Sequence, residues 1–409
     1  MNLARRRIGD GYLSGTNASV APRAPAMFSR LIARLVREIA TLAVHAYFVA
    51  RYYLVERRQQ SHSRCYSGER RSETGLWCIF AVWQSEPISP NLIAAFERLN
   101  DAGYNIVLIN NGPLPGAAAS ALLHYCHTFF TKPHGGRDFG SYQFATAWLH
   151  RTVPAAEIRQ VLYCNDSVFI RPSRFAALLA RLRDRDSLYI GVTGSSERFY
   201  HVSSWFFAVS GVVFDHPGFH EFWRRYTPFS SRTYVIRRGE IGLSQALSKL
   251  HIDPEILFTA EAAVDECFKT ETPRVIQAVA RLSSIWLWDQ QLRPYFSNLE
   301  YAEPTASGKG ELPLLSKEFL RRRLIDYSDS ENNMNFYNLF YAEYCDLPFL
   351  KKDLVYRGQY LIAQIEEVVG RWEGCDRQHV PEVLGYFRSR SAIRWIHGLR
   401  GYLTRHGIL

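Results

Sequence analysis

None of the common short signatures of nucleotide or ester chemistry occurs in these 409 residues. There is no Gly-x-Gly-x-x-Gly after a strand-like run, no Gly-x-x-x-x-Gly-Lys-Ser/Thr and no Gly-x-Ser-x-Gly, so dehydrogenase, P-loop and α/β-hydrolase readings lose their usual support. The seven cysteines are scattered, odd in number and free of Cys-x-x-Cys or Cys/His ligand spacing. That pattern predicts reduced cytosolic thiols, with no disulfide and no structural zinc. Long apolar runs are missing too. Within the hydrophobic residues 27–54 the longest stretch without Asp, Glu, Lys or Arg is Ile39–Ala50, twelve residues, against the ~18 that a spanning helix needs. The basic start Met1–Arg7 is followed by Ile8-Gly9-Asp10-Gly11 in place of an apolar segment, so no secretion signal is expected.

Lysine is absent from residues 1–74, which hold thirteen Arg and five acids, while residues 376–409 hold six Arg and two acids. The net charge of +10 is therefore concentrated at the two ends, and the stretch between them is near neutral. Such a distribution fits an anionic membrane surface better than a polyphosphate groove, and no nucleic-acid partner is expected. Arg30, Arg34, Arg37, Glu38, Thr41 and His45 recur every three or four residues and share one helical stripe, with Leu31, Leu35, Ile39 and Leu42 elsewhere on the wheel. The expectation is a helix lying on a membrane, with docking on the protein's own core as the alternative.

What is present is ample core material: 47% of the residues are hydrophobic, enough for one large domain or two ordinary ones. The apolar run Leu76–Trp83 reads as a buried strand. It is followed by a helix over Asn91–Ala102, a strand over Asn105–Ile109, a helix over Ala117–Tyr125, a short strand at Phe129–Phe130, a helix over Gly140–His150 and a strand over Gln160–Cys164. Leu188–Val192 and Trp205–Phe214 read as further strands, Pro217–Tyr226 and Ile241–Leu250 as helices. Strands alternating with helices predict an α/β fold, a mostly parallel sheet flanked by helices, with its ligand crevice beyond the strands' carboxyl ends. The organisation expected is a basic lead-in with a surface helix over 1–74, an α/β domain over 75–260, a mainly helical continuation over 261–375 and a basic amphipathic tail over 376–409, with Arg390, Arg394 and His397 on one stripe.

Four segments carry candidate chemistry. Gly135-Gly136-Arg137-Asp138-Phe139-Gly140-Ser141-Tyr142 opens a helix, where glycines allow close backbone approach, the helix N-terminus favours anionic oxygens and Arg137 offers a charge-assisted contact. Asp138 is also a plain N-cap candidate. Asn165-Asp166-Ser167 ends a strand with oxygen side chains suited to Mg²⁺ or Mn²⁺, or simply to an Asx turn. Glu240 precedes a helix and is placed either as a general base or as a first-turn acid. His201, opening a strand, reads as an acceptor or phosphate contact or as a structural histidine.

Arg137–Tyr142, Asn165–Ser167, His201–Phe206, Phe219–Trp223, Glu240–Ser244 and Pro348–Lys352, in that order and spacing, resemble the rhamnan synthesis protein F family of GT-A-like glycosyltransferases over roughly Leu76–Leu354. The chain departs from that family's pattern at Ser203, where the family carries Gln. The resemblance implies a rhamnosyltransferase of cell-surface polysaccharide assembly, using a nucleotide-sugar donor such as dTDP-rhamnose and a lipid-linked or polysaccharide acceptor, on the cytoplasmic face of the inner membrane. It implies Asp166 at the divalent cation and diphosphate, and Glu240 as the acceptor base of an inverting transfer. Arg137, Asp138, Ser141, Tyr142 and Asn165 would then seat the donor, and His201, Ser204 and Trp205 the acceptor. The rivals are a catalytically silent scaffold of the same fold and a nucleotidyltransferase. Against the latter, Gln84-Ser85-Glu86-Pro87 after the first strand is no Gly-rich basic loop.

Overall fold

The end of the basic region over 1–74 contains a short edge strand, β1 (Arg64–Ser67), and the apolar run after it becomes β2 (Leu76–Val82), buried at every residue. The computed structural model describes residues 24–59, 63–85, 87–132, 135–196, 199–270, 318, 320–322, 324–326, 333–357 and 359–391. The expectations for residues 1–23 and for Arg394 and His397 lie outside the described residues.

The remaining strands are β3 (Asn105–Asn110), β4 (Thr128–Thr131), β5 (Gln160–Asn165), β6 (Val168–Ile170), β7 (Tyr189–Gly191), β8 (Gly194–Ser195), β9 (His201–Val202), β10 (Phe206–Ser210), β11 (Glu255–Ile256) and β12 (Phe349–Lys351). Eight of them form one sheet in the order β1-β4-β3-β2-β5-β10-β7-β11. The centre, β4-β3-β2-β5, is parallel throughout, β1 and β10 are antiparallel to their neighbours, and β11 runs parallel to β7. A central parallel strand is covered on both faces, which is why β2 reads as an unbroken apolar run. Leu76, Cys78, Phe80 and Val82 face one core and Trp77, Ile79 and Ala81 the other. With helices on both faces and a mostly helical C-terminal region, this is the architecture expected of a GT-A-like chain.

One expected strand is shorter than its apolar pattern. Of Trp205–Phe214 only Phe206–Ser210 is extended; Ser210 Oγ then accepts the Val213 N–H at 3.3 Å and caps a one-turn helix, Gly211–Phe214. Periodicity cannot separate a buried strand from the buried helical turn that continues it.

The N-terminal helix spans Ala24–Arg51 and runs into a wider turn, Tyr52–Glu56. Its end docks on the body: His45 stacks on Tyr234 at 5.7 Å, and Tyr52 meets Phe229 edge-on at 5.2 Å. Further up, Leu35, Ile39 and Leu42 stay exposed, the last at 66%. At the other end of the chain β12 pairs antiparallel with β6, Lys351 opposite Val168. A third apolar cluster, including Leu350, Ile365, Trp372 and Phe387, anchors the helices Ile362–Gly370 and Val380–Ser391 there.

Candidate active site

Antiparallel pairing sets the site. Phe206 of β10 lies opposite Cys164 of β5, so the segment His201–Trp205 enters the sheet at the carboxyl end where β5 releases Asn165 and Asp166. The loop before the helix Arg137–Thr152 comes to the same end. Gly136 has φ +75, and a Cβ there would stand 2.4 Å from the Pro228 Cβ, so only glycine lets this loop close. Arg137 follows with φ 52, a left-handed conformation that is costly for a long side chain. Its Nε donates to the Ser230 carbonyl at 2.9 Å. The Gly136 N–H donates to Ser230 Oγ at 3.0 Å, and Ser230 Oγ donates in turn to Glu56 at 3.0 Å. Glu56, only 1% exposed, is also paired with Arg51 at 3.0 Å. Buried Lys132 donates to the Gly135 carbonyl at 3.0 Å; burial lowers its pKa to about 8, with Glu56 opposing.

Asp138 Oδ1 accepts the Phe139 N–H at 3.0 Å and Oδ2 accepts from Asn165 Nδ2 at 2.8 Å. Burial raises its pKa, and these bonds together with Arg137 and Lys351 oppose the shift. Ser141 Oγ accepts from Asn111 Nδ2 at 2.7 Å. Tyr142 is wholly buried and donates to the Ser204 carbonyl at 3.1 Å. It therefore braces the 201–205 segment from behind instead of lining the cleft. Asn165 Oδ1 accepts the Ser167 N–H at 3.0 Å, an Asx turn. Asp166 Oδ2 accepts both the Trp83 N–H at 3.0 Å and Gln84 Nε2 at 2.7 Å.

Arg137, Asp138, Asn165 and Asp166 line a cavity of ≈ 460 Å³ whose far wall is Phe48 and Arg51 of the N-terminal helix. A second cavity, ≈ 430 Å³, shares Trp83, Asp166 and Ser167 with it and adds Lys351 and Lys352. The lysines arrive through the β6–β12 pairing: the Lys352 N–H donates to the Ser167 carbonyl at 2.9 Å, and Lys351 Nζ to Ser167 Oγ at 3.4 Å. Burial lowers the pKa of both, while Asp353 and Glu240 pull Lys351 back and Asp166 does so for Lys352. Sequence reading quoted these lysines in a motif but gave them no role, and it had no signal for Glu56 or Ser230.

Glu240 ends a π-helical turn, Val235–Glu240. A Cβ on Gly239 would stand 2.8 Å from the Phe139 ring, so this turn lies directly against the residue after Asp138. Glu240 Oε1 accepts from Ser204 Oγ at 2.7 Å, and Oε2 is 3.7 Å from His201 Nε2. Burial raises the Glu240 pKa, His201 and Ser204 oppose that shift, and Asp138 adds to it. His201 is 4% exposed and its Nδ1 lies 2.8 Å from the Phe199 carbonyl. Trp205 is buried too, edge-on to Phe349 at 4.8 Å. His201 and Ser204 therefore hold Glu240, Trp205 packs on Phe349, and none of these four side chains lines either of the two cavities.

Among the described residues the group of side chains able to hold a divalent cation is not built on Asp166. It is His150, Asp215 and His220, whose ligand atoms all lie within 4.8 Å of one another. His150 is twelve residues along the helix from Asp138, about 18 Å at 1.5 Å per residue. An ion there could not touch a ligand held at Asp138 and Asp166.

The fold and this cleft define an α/β protein with an acid- and lysine-lined site at the carboxyl ends of a mainly parallel sheet. No family model matches the chain. It is 23% identical over 256 residues to the uncharacterized protein y4gN of Sinorhizobium fredii, a match covering 60% of this chain and 66% of that one. Among solved structures there is a weak, distant similarity to the apo form of the glycosyltransferase GlyE of Streptococcus pneumoniae, with 12% identity and a TM-score of 0.26 over 66% of this chain and 63% of that chain. The matches thus span just under two thirds of the length of each.

Proposed function

We propose that this chain is a glycosyltransferase that passes a sugar from a nucleotide-sugar donor to a lipid-linked or polysaccharide acceptor at the cytoplasmic face of the membrane. Rhamnose from dTDP-rhamnose is the donor that the sequence resemblance implies. The observation that carries the reading is that Glu240, bonded to Ser204, ends a turn packed against Phe139, the residue after Asp138, while Lys351 and Lys352 line a cavity with Asp166 and offer cations that suit a diphosphate.

Asp138 and Asn165 seat the nucleoside by accepting and donating hydrogen bonds, while Arg137, Lys351 and Lys352 offset the charge that develops on the departing diphosphate. A Mg²⁺ or Mn²⁺ at Asp166 would add to that compensation; since Oδ2 already accepts two hydrogen bonds, one oxygen remains for it. Glu240, held by Ser204, takes the proton from the acceptor hydroxyl as that oxygen bonds to the anomeric carbon. The bond to the phosphate oxygen breaks on the opposite face, so the transfer inverts the anomeric centre. No helix of the described residues is long and apolar enough to cross a membrane. The exposed Leu35, Ile39 and Leu42 suit the interface of an anionic bilayer instead.

The test is transfer and donor hydrolysis by the purified chain across a panel of nucleotide sugars, with dTDP-rhamnose included. Turnover that Glu240→Gln abolishes supports the reading. A folded protein that binds no nucleotide sugar would leave the silent scaffold in its place.

A further inference from the structure

Three elements that are separate in sequence meet on the side of the protein remote from the cleft. His150 lies in the last turn of the helix Arg137–Thr152, Asp215 is the C-cap of the one-turn helix Gly211–Phe214, and His220 lies in the helix Pro217–Arg225. The His150 and His220 ring centroids are 3.8 Å apart, and His150 Nε2 is 3.9 Å from Asp215 Oδ1. His220 Nε2 is buried without a hydrogen-bond partner, an arrangement that costs free energy unless something else satisfies that nitrogen. The neighbouring His216 is already committed, its Nδ1 accepting the Gly218 N–H at 3.0 Å. Beside the cluster a cavity of ≈ 430 Å³ lies between the helices Arg137–Thr152 and Pro217–Arg225, lined in part by Gln143, Phe144, His150, His220 and Trp223.

We propose that His150, Asp215 and His220 bind a zinc-class ion that ties the C-terminal turn of the helix Arg137–Thr152 to the segment Gly211–Arg225. Two imidazoles and one carboxylate form a donor set that suits Zn²⁺, and Co²⁺ or Ni²⁺ after it; Mg²⁺ and Ca²⁺ require more oxygens than the cluster offers. Three protein ligands leave a fourth position, open towards the cavity, for water. The cysteine-based expectation of no structural zinc did not reach this set, because its ligands are 65 and 5 residues apart and match no local spacing. The ion is distinct from any cation on the proposed donor, from which the helix separates it by about 18 Å.

The full chain, stripped with chelator and desalted, is titrated with Zn²⁺ alone by calorimetry and with Co²⁺ alone by visible absorption. One ion per chain is expected, with a Co²⁺ spectrum of nitrogen and oxygen ligation and no thiolate charge-transfer band. His150→Ala and His220→Ala should each weaken binding by about 10²-fold or more, since even losing a group that only supports a ligand costs 10–100-fold. His150 is 46% exposed, so its variant should keep the parent's circular dichroism, and His216→Ala should keep the ion. Zn²⁺ binding that survives both ligand substitutions, a thiolate band from the free cysteines, or no binding tighter than that of Mg²⁺ would each overturn the proposal. None of these readouts depends on glycosyl transfer.

Discussion

Asn165 donates from Nδ2 to Asp138 Oδ2 at 2.8 Å. This bond joins the end of a central parallel strand to the first turn of the helix beside it; the N-cap of that helix is Gly136, so Asp138 is not the capping residue that its sequence position also suggested. Two segments that were separate motifs in the sequence therefore form one wall of the cleft; the turn ending at Glu240 packs against Phe139, and Lys351 reaches Ser167.

Glu240→Gln should reduce transfer by about 10²–10⁴-fold, the usual worth of a general base, while leaving donor affinity unchanged. In the parent, turnover should fall as the pH drops through a Glu240 pKa that burial has raised above 4.5. Steady-state rates against pH, with donor affinity measured in parallel, check both. A fully active variant moves the base elsewhere.

The same substitution should not destabilise the protein at neutral pH. A carboxyl whose pKa is raised on folding binds its proton more tightly in the folded state. Stability is therefore lost as the pH rises from the unfolded value through the folded one, and the neutral amide escapes that loss. Urea unfolding at pH 4 and pH 7.5 should show Glu240→Gln gaining on the parent only at the higher pH.

Lys351→Met and Lys352→Met should each weaken binding of the donor, and of the free nucleoside diphosphate, by about 10-fold or more, on the scale of one charge-assisted hydrogen bond. Binding of the nucleoside without phosphates should not change. Calorimetry with the two ligands separates these outcomes, and equal losses for both would point to a packing role.

Glu56→Ala should lower stability by about 1–3 kcal/mol, because Ser230 and Arg51 lose a buried acceptor, and it should loosen the loop at Gly136 and Arg137. Ile39→Asp and Leu42→Asp, on the exposed face of the N-terminal helix that precedes Glu56, should leave stability unchanged but cut binding to anionic vesicles. High salt should release part of the parent as well, each basic residue near the surface being worth ~1 kcal/mol before screening. Chemical unfolding and vesicle sedimentation distinguish the docked turn from the exposed helix face.

The central sheet was legible in the sequence because its strands are covered on both faces and bounded by turn residues. The strands read at Leu76–Trp83 and Gln160–Cys164 needed no tertiary knowledge and end within one residue of the observed ones, and the helix behind Gly136 was announced by its glycines. The alternation of these elements also placed a crevice at the strands' carboxyl ends. What only the tertiary structure decided lies in contacts between residues far apart in the chain. The β6–β12 pairing brings Lys351 to Ser167 across 184 residues, Ser230 reaches Glu56 across 174, and His150, Asp215 and His220 meet without any local spacing. Hydrophobic periodicity reports which face of an element is buried, but it carries no information about which distant element covers that face. Partners of this kind are chosen by packing and hydrogen bonding in the assembled fold.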